Sequence, residues 1–196
     1  MFNDKYGLTK AVLEGRKTIT RRTVPMHDYK YGFQVLYDTE TKQCCVCDGS
    51  FIVERSRYSA GEVVAIAQAY KDIYNDAYHI GLYGRTAGWT NKMYVCADDM
   101  PHHIKITNIR IERLQDISDD NCLSEGVVKN TIGYYVDGLR CKDWEKESHV
   151  EMENGDTLKL FPTPREAFAA LINKVSGKGT WESNPYVWVY EFELVD

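Results

Sequence analysis

The chain has 196 residues, the length of one domain, and can bury roughly 70% of its unfolded surface without staples. Its formal net charge of −5 excludes a protein that wraps long nucleic acid by neutralising phosphates. No apolar run reaches membrane-spanning length and no basic-then-apolar leader is read, so the six cysteines are expected as reduced thiols in a cytoplasm.

In chain order, Leu8, Ala11 and Val12 fall at i, i+3 and i+4, which predicts a helix from Lys5 to Glu14. Gly15 stands where a helix C-terminal glycine belongs. A cationic stretch follows, Gly15-Arg16-Lys17-Thr18-Ile19-Thr20-Arg21-Arg22, in a turn or an extended segment. If it is extended, Thr18, Thr20 and Arg22 share one side; if it turns, Lys17 approaches Thr20. Residues 1–30 carry seven Lys/Arg against Asp4, Glu14 and Asp28. A cationic spot on an acidic body suits a small anionic or polar ligand better than a nucleic-acid track.

Phe33–Tyr37 and Cys44–Cys47 read as a hairpin, extended by Phe51–Val53. The spacing Cys44-Cys45-x-Cys47 fits no common zinc pattern, so no metal is expected and the cluster reads as strand. Val63–Ala67 is an apolar run of the buried-strand type. Residues 71–92, rich in Gly, Tyr, Asn and Asp, read as a long connection or insertion, and Met93–Cys96 as a further strand. His102–Arg113 alternates as a long strand whose phase breaks at Thr107-Asn108, the mark of a bulge or bend. Ser118 caps a short helix through Ser124, ended by Glu125-Gly126. Thr131–Val136 is a weak strand, and residues 138–160 are a polar surface excursion. Thr163-Pro164-Arg165-Glu166 opens a helix that runs through Val175 and stops at Gly177. Tyr186–Leu194 is the strongest strand. Many strands with three helices in no regular alternation give an α+β class, and long bent strands with tight turns favour a small barrel.

Three segments in order resemble the ASCH family. They are Gly15-x-Lys17-x-x-x-x-Arg22; Ile109 to Gly126, with Ile111-Glu-Arg-Leu-Gln-Asp-Ile117 leading into the short helix; and Gly179-Thr-Trp181-Glu-Ser-Asn184-Pro185 continuing to Phe192. The third is similar to the closing segment of a longer, phage-associated branch. The resemblance implies one domain over 1–196 with a PUA-like small β-barrel, flanking helices and insertions at 71–92 and 138–160. It also implies a cleft lined by the first motif, with a nucleoside or RNA as partner and no cofactor. Small amidohydrolases of the family that act on N(4)-acetylcytidine carry G-R-K-T-I-T-x-R, which Gly15 to Arg22 reproduces; by position their Lys, Thr and Glu fall on Lys17, Thr20 and Glu125. Arg16, Thr18, Arg21, Arg22, Trp181 and Asn184 are then the expected substrate contacts. Where the phage branch is expected to carry an Arg-Glu pair, this chain has Ala67-Gln68.

Amide hydrolysis needs a nucleophile, a base and a proton donor for the leaving amine. Thr20 offers a hydroxyl. Lys17 acts as base only when neutral, so its pKa must fall several units from about 10.4, which burial and neighbouring cations bring about. Glu125 can supply the proton or orient water; Arg22 can instead pair with Glu125 or polarise a carbonyl; Trp181 or a tyrosine can stack on a base. Two other readings stand beside hydrolysis: a non-catalytic RNA-binding or regulatory module using the same cleft, and a phage-related interaction protein. The sequence fixes no oligomeric state.

Overall fold

A computed structural model describes residues 2–25, 28–74 and 87–195. It is a mixed α and β fold, mostly strands, with four α-helices among the described residues. A 3-10 turn at Asp4–Tyr6 precedes helix α1, Leu8–Leu13, so the helix is shorter than its periodicity suggests. Gly7 is the cause: it sits at φ 62°, and a Cβ there would come within 2.7 Å of the Asp137 carboxylate. Strand β1, Ile19–Thr23, follows, then β2, Phe33–Asp38, β3, Gln43–Asp48, β4, Phe51–Arg55, and β5, Val63–Ala65. After the long strand β6, His103–Arg113, come α2, Asp119–Ser124, and the pair β7, Val128–Asn130, and β8, Gly133–Tyr135. Strands β9, His149–Glu151, and β10, Thr157–Lys159, lead to α3, Pro164–Val175, α4, Thr180–Ser183, and β11, Tyr186–Val195.

The main sheet has the order β1-β11-β6-β5, is antiparallel throughout and curls into a half-barrel. Four consecutive residues of β11, Val187 to Tyr190, are buried, so the strand is covered on both faces. The expected irregularity in β6 is a bulge: Glu191 pairs with Asn108 but Phe192 with Ile106, leaving Thr107 as the extra residue. Such a bulge bends the strand and lets the sheet curl. A second sheet, β2-β3-β4, contributes Cys44 and Val46 of its central strand to the same core as β11. On the helical side, Phe168, Leu171 and Ile172 of α3 join that core, and α3 packs against α2, α4 and β8. Thr163 caps α3 by accepting the Glu166 amide hydrogen, and Ser118 caps α2 in the same way from Asn121.

Several expectations are corrected. Met93–Cys96 is no strand: Lys92–Tyr94 form a 3-10 turn that starts because the Asn91 side chain accepts from the Met93 amide. The strand at Val63 ends at Ala65 and lies at the sheet edge, with Val63 exposed. Residues 138–160 are not wholly superficial, since they carry the β9–β10 hairpin and bury Leu139, Leu158 and Leu160. Their few leucines are spaced among charges, which hides the pattern in the sequence. Of the connection at 71–92, residues 75–86 lie outside the described residues; its two ends are joined by Tyr70 and Lys71 amides donating to Gly88 and Trp89 carbonyls. The three clustered cysteines lie on strand β3, and all six cysteines are free thiols. No group of three or more His, Cys, Asp or Glu among the described residues could hold a metal ion, and none of their helices is long and apolar enough to cross a membrane.

Candidate functional site

The cationic stretch is seated by its backbone. Gly15 turns the chain at φ 70°, and the amides of Arg16 and Lys17 both donate to the Ala11 carbonyl, closing α1. The Thr18 amide then donates to the Ser124 carbonyl at 3.0 Å, which lays the stretch along the end of α2. Glu125 caps that helix, and Gly126, at φ 107°, carries the chain away. A Cβ on Gly126 would meet Leu8 at 2.9 Å, so glycine is what allows α1 and α2 to close around the Lys17 side chain.

Lys17 is buried, and its Nζ donates to the Glu125 carboxylate at 2.5 Å, the Ile19 carbonyl at 2.6 Å and the Glu125 carbonyl at 3.0 Å. Three acceptors match the three N–H groups of an ammonium. Burial pulls the Lys17 pKa down from its ordinary value, the Glu125 carboxylate opposes that, and Arg22 and Arg21 add to the lowering. Arg16 takes no part, because it pairs with Glu14 in solvent at 2.6 Å.

From Ile19 the chain is a strand, and its alternation divides the motif. Ile19 and Arg21 point to the helical side and are buried; Thr20 is half-buried and Arg22 exposed. Arg21, not Arg22, reaches Glu125, through Nη1 at 3.1 Å. Its other nitrogens hold Glu112 of β6, at 2.5 and 3.1 Å, while the guanidinium lies 6.0 Å from the Phe168 ring centre. Glu112 in turn accepts from Arg110, which pairs with Glu191 of β11. The result is a chain of three cations and three carboxylates, Lys17-Glu125-Arg21-Glu112-Arg110-Glu191, tying α2 to three strands with charges balanced.

Two cavities adjoin this chain. One, of about 390 Å³, is lined by Lys17, Thr20, Arg21, Arg22 and Glu125 beneath α3. The other, of about 350 Å³, lies toward the second sheet and is lined by Thr20, Arg22, Glu54, Tyr58, Trp188 and Tyr190, among others. Thr20, Arg22 and Phe2 line both, so the strand β1 forms their common wall. Thr18 is exposed in the turn before β1.

Trp181 and Asn184 border neither cavity. Trp181 packs edge-on to Phe168 with ring centres 6.1 Å apart, below Arg165. Asn184 adopts φ 44° and accepts from the Gln115 amide at 2.8 Å, fixing the entry to β11. Conversely, the structure brings in residues that sequence reasoning passes over: Glu54 and Arg55 at the end of β4, Arg57 and Tyr58 just beyond it, and Glu112 on β6. The run Glu54-Arg-Ser-Arg-Tyr58, charged and aromatic at a strand end, is the available signal.

Searches against family models, curated proteins and solved structures gave no match to the chain.

Proposed function

We propose that this chain is an ASCH-like domain of PUA-like fold that takes a nucleoside or RNA base into the cavity faced by Thr20 and Arg22, and hydrolyses an amide on an acylated cytidine through Lys17, Thr20 and Glu125. The observation that carries the reading is the division of β1. It sends Thr20 into a cavity of about 350 Å³ with aromatic walls while keeping it on the lining shared with the Lys17–Glu125 pair. Cavities of this size, mostly apolar with a few polar groups, suit a single small ligand. Tyr58, half-buried on the wall, takes the stacking role that Trp181 does not reach.

The chemistry follows from the buried pair. Shifting one proton from Lys17 to Glu125 along their hydrogen bond removes two buried charges and yields an amine base beside a carboxylic acid. The Thr20 hydroxyl attacks the acyl carbon and gives its proton to Lys17; Glu125 protonates the leaving N4 of cytidine, which restores the ion pair. Water then attacks the threonine ester after the same proton shift, releasing the acid and the free hydroxyl. No metal enters these steps.

A second reading is favoured by the three acceptors that saturate Lys17 Nζ: the pair serves only to hold α2 to β1, and the cavity binds a base without chemistry. Incubation of purified protein with N(4)-acetylcytidine, with chromatography for cytidine and a parallel binding titration, separates the two. Release of cytidine supports hydrolysis. Binding without release leaves the non-catalytic module, and neither binding nor release overturns both.

A further inference from the structure

Arg55 and Arg57 flank Ser56, which is almost fully buried. Four hydrogen bonds pin that serine: its amide donates to the Cys44 carbonyl, its hydroxyl accepts from the Cys44 amide and donates to the Tyr58 carbonyl, and its own carbonyl accepts from Gln43. With Ser56 turned inward, its two neighbours are turned outward, and both guanidinium-bearing residues line the cavity beside Arg22. The Arg57 amide is also held, donating to the Tyr190 hydroxyl at 3.0 Å, and its guanidinium lies 5.5 Å from the Tyr58 ring centre. Tyr58 meets Tyr190 edge-on at 5.5 Å.

The charges are unequal. Among the described residues, three arginines border the cavity against one carboxylate, Glu54, although the chain as a whole carries −5. Arg55 is engaged with Asp38 at 3.0 Å. Arg57 forms no ion pair among the described residues, and an aromatic ring rather than a carboxylate supports it. An exposed guanidinium beside an aromatic ring, without a carboxylate partner among the described residues, is suited to a planar, two-pronged contact with phosphate oxygens.

Resting on the base-binding reading above, we propose that Arg57, with Arg22 and Arg55, forms a phosphate-recognising rim, so that a phosphorylated nucleotide or an RNA strand is preferred over a neutral nucleoside. The base enters between Tyr58 and β1, and its phosphate stays at the mouth, where the arginines are exposed to solvent.

Binding of cytidine, cytidine 5′-monophosphate and the dinucleotide CpC to the whole protein is measured by calorimetry at two salt concentrations. The phosphorylated ligands are expected to bind about tenfold or more tighter than cytidine, with an advantage that shrinks as salt rises. Arg57→Ala, an exposed change that leaves the melting temperature unaltered, removes that advantage; Arg57→Lys restores part of it, because charge returns without the fork. CpC binding tighter than the monophosphate assigns the rim to an internal RNA phosphate, and the reverse order to a free nucleotide. Equal binding of cytidine and its monophosphate, or an Arg57→Ala variant that keeps the advantage, overturns the rim and leaves the base site standing. Failure of all three ligands to bind overturns the base site itself.

Discussion

Lys17 Nζ and the Glu125 carboxylate, 108 positions apart in the sequence, meet at 2.5 Å with side-chain exposures of 1% and 6%. Two opposite charges so deeply buried are costly apart and tolerable only together. The pair also carries Arg21, whose Nη1 reaches the second Glu125 oxygen. Lys17 and Glu125 therefore fix where β1 lies against α2 before any ligand arrives.

Removing Glu125 leaves Lys17 buried without an anion. Glu125→Gln is expected to cost roughly 3–5 kcal/mol of folding stability, because Lys17 loses its counter-charge and Arg21 keeps only Glu112. Lys17→Met is expected to cost less, since Arg21 still holds Glu125. The double variant should fall short of the sum of the two. Urea unfolding of the three variants checks this; additive losses would show that the pair is not coupled.

Asn184 gives a contrasting test, because it lines neither cavity. Asn184→Ala places a Cβ-bearing residue without a polar side chain at φ 44° and strips the Gln115 amide of its acceptor. The expected loss is about 2 kcal/mol, with ligand affinity unchanged. Thermal unfolding and a cytidine titration on the same sample decide it; weakened binding in a fully folded variant would return Asn184 to the site.

Acid should loosen the 138–160 hairpin. Glu147 accepts from the Lys142 amide at 3.0 Å and from the Lys159 ammonium at 2.5 Å, and these hold its carboxyl down to about 2. Because the folded value lies below the ordinary one of 4.5, the unfolded chain takes up the proton first as pH falls. The stabilisation is whole above about pH 4.5 and is lost on the way down to about pH 2. A carboxyl titration followed by NMR should show that low midpoint. Lys159→Met should raise it only part of the way, the Lys142 amide being the stronger cause; an ordinary midpoint in the unaltered protein would contradict the geometry.

Much of the scaffold is legible in the sequence because its signals are local. The aromatic run of β11, the Thr163 and Ser118 caps and the phase break at Thr107 each depend on neighbouring residues, and each is found where the pattern puts it. The site is legible only in part. Alternation places Thr20 and Arg22 on one side of an extended strand, but pairing with β11 decides which side is packed under α3. That is why Arg21 and not Arg22 meets Glu125. The Arg55–Arg57 rim is invisible to spacing, because it exists only once Ser56 is bonded to Cys44 across the second sheet.

Thr20, on the wall common to both cavities, is proposed as the nucleophile served by the Lys17–Glu125 pair. Thr20→Val keeps the branched shape a strand accepts and removes only the hydroxyl. Cytidine release from N(4)-acetylcytidine, compared between the unaltered protein and this variant at matched thermal stability, tests it most directly. Release by the first is expected, with a loss of at least about a hundredfold in the second. Equal rates in both, or no release by the unaltered protein, would contradict it.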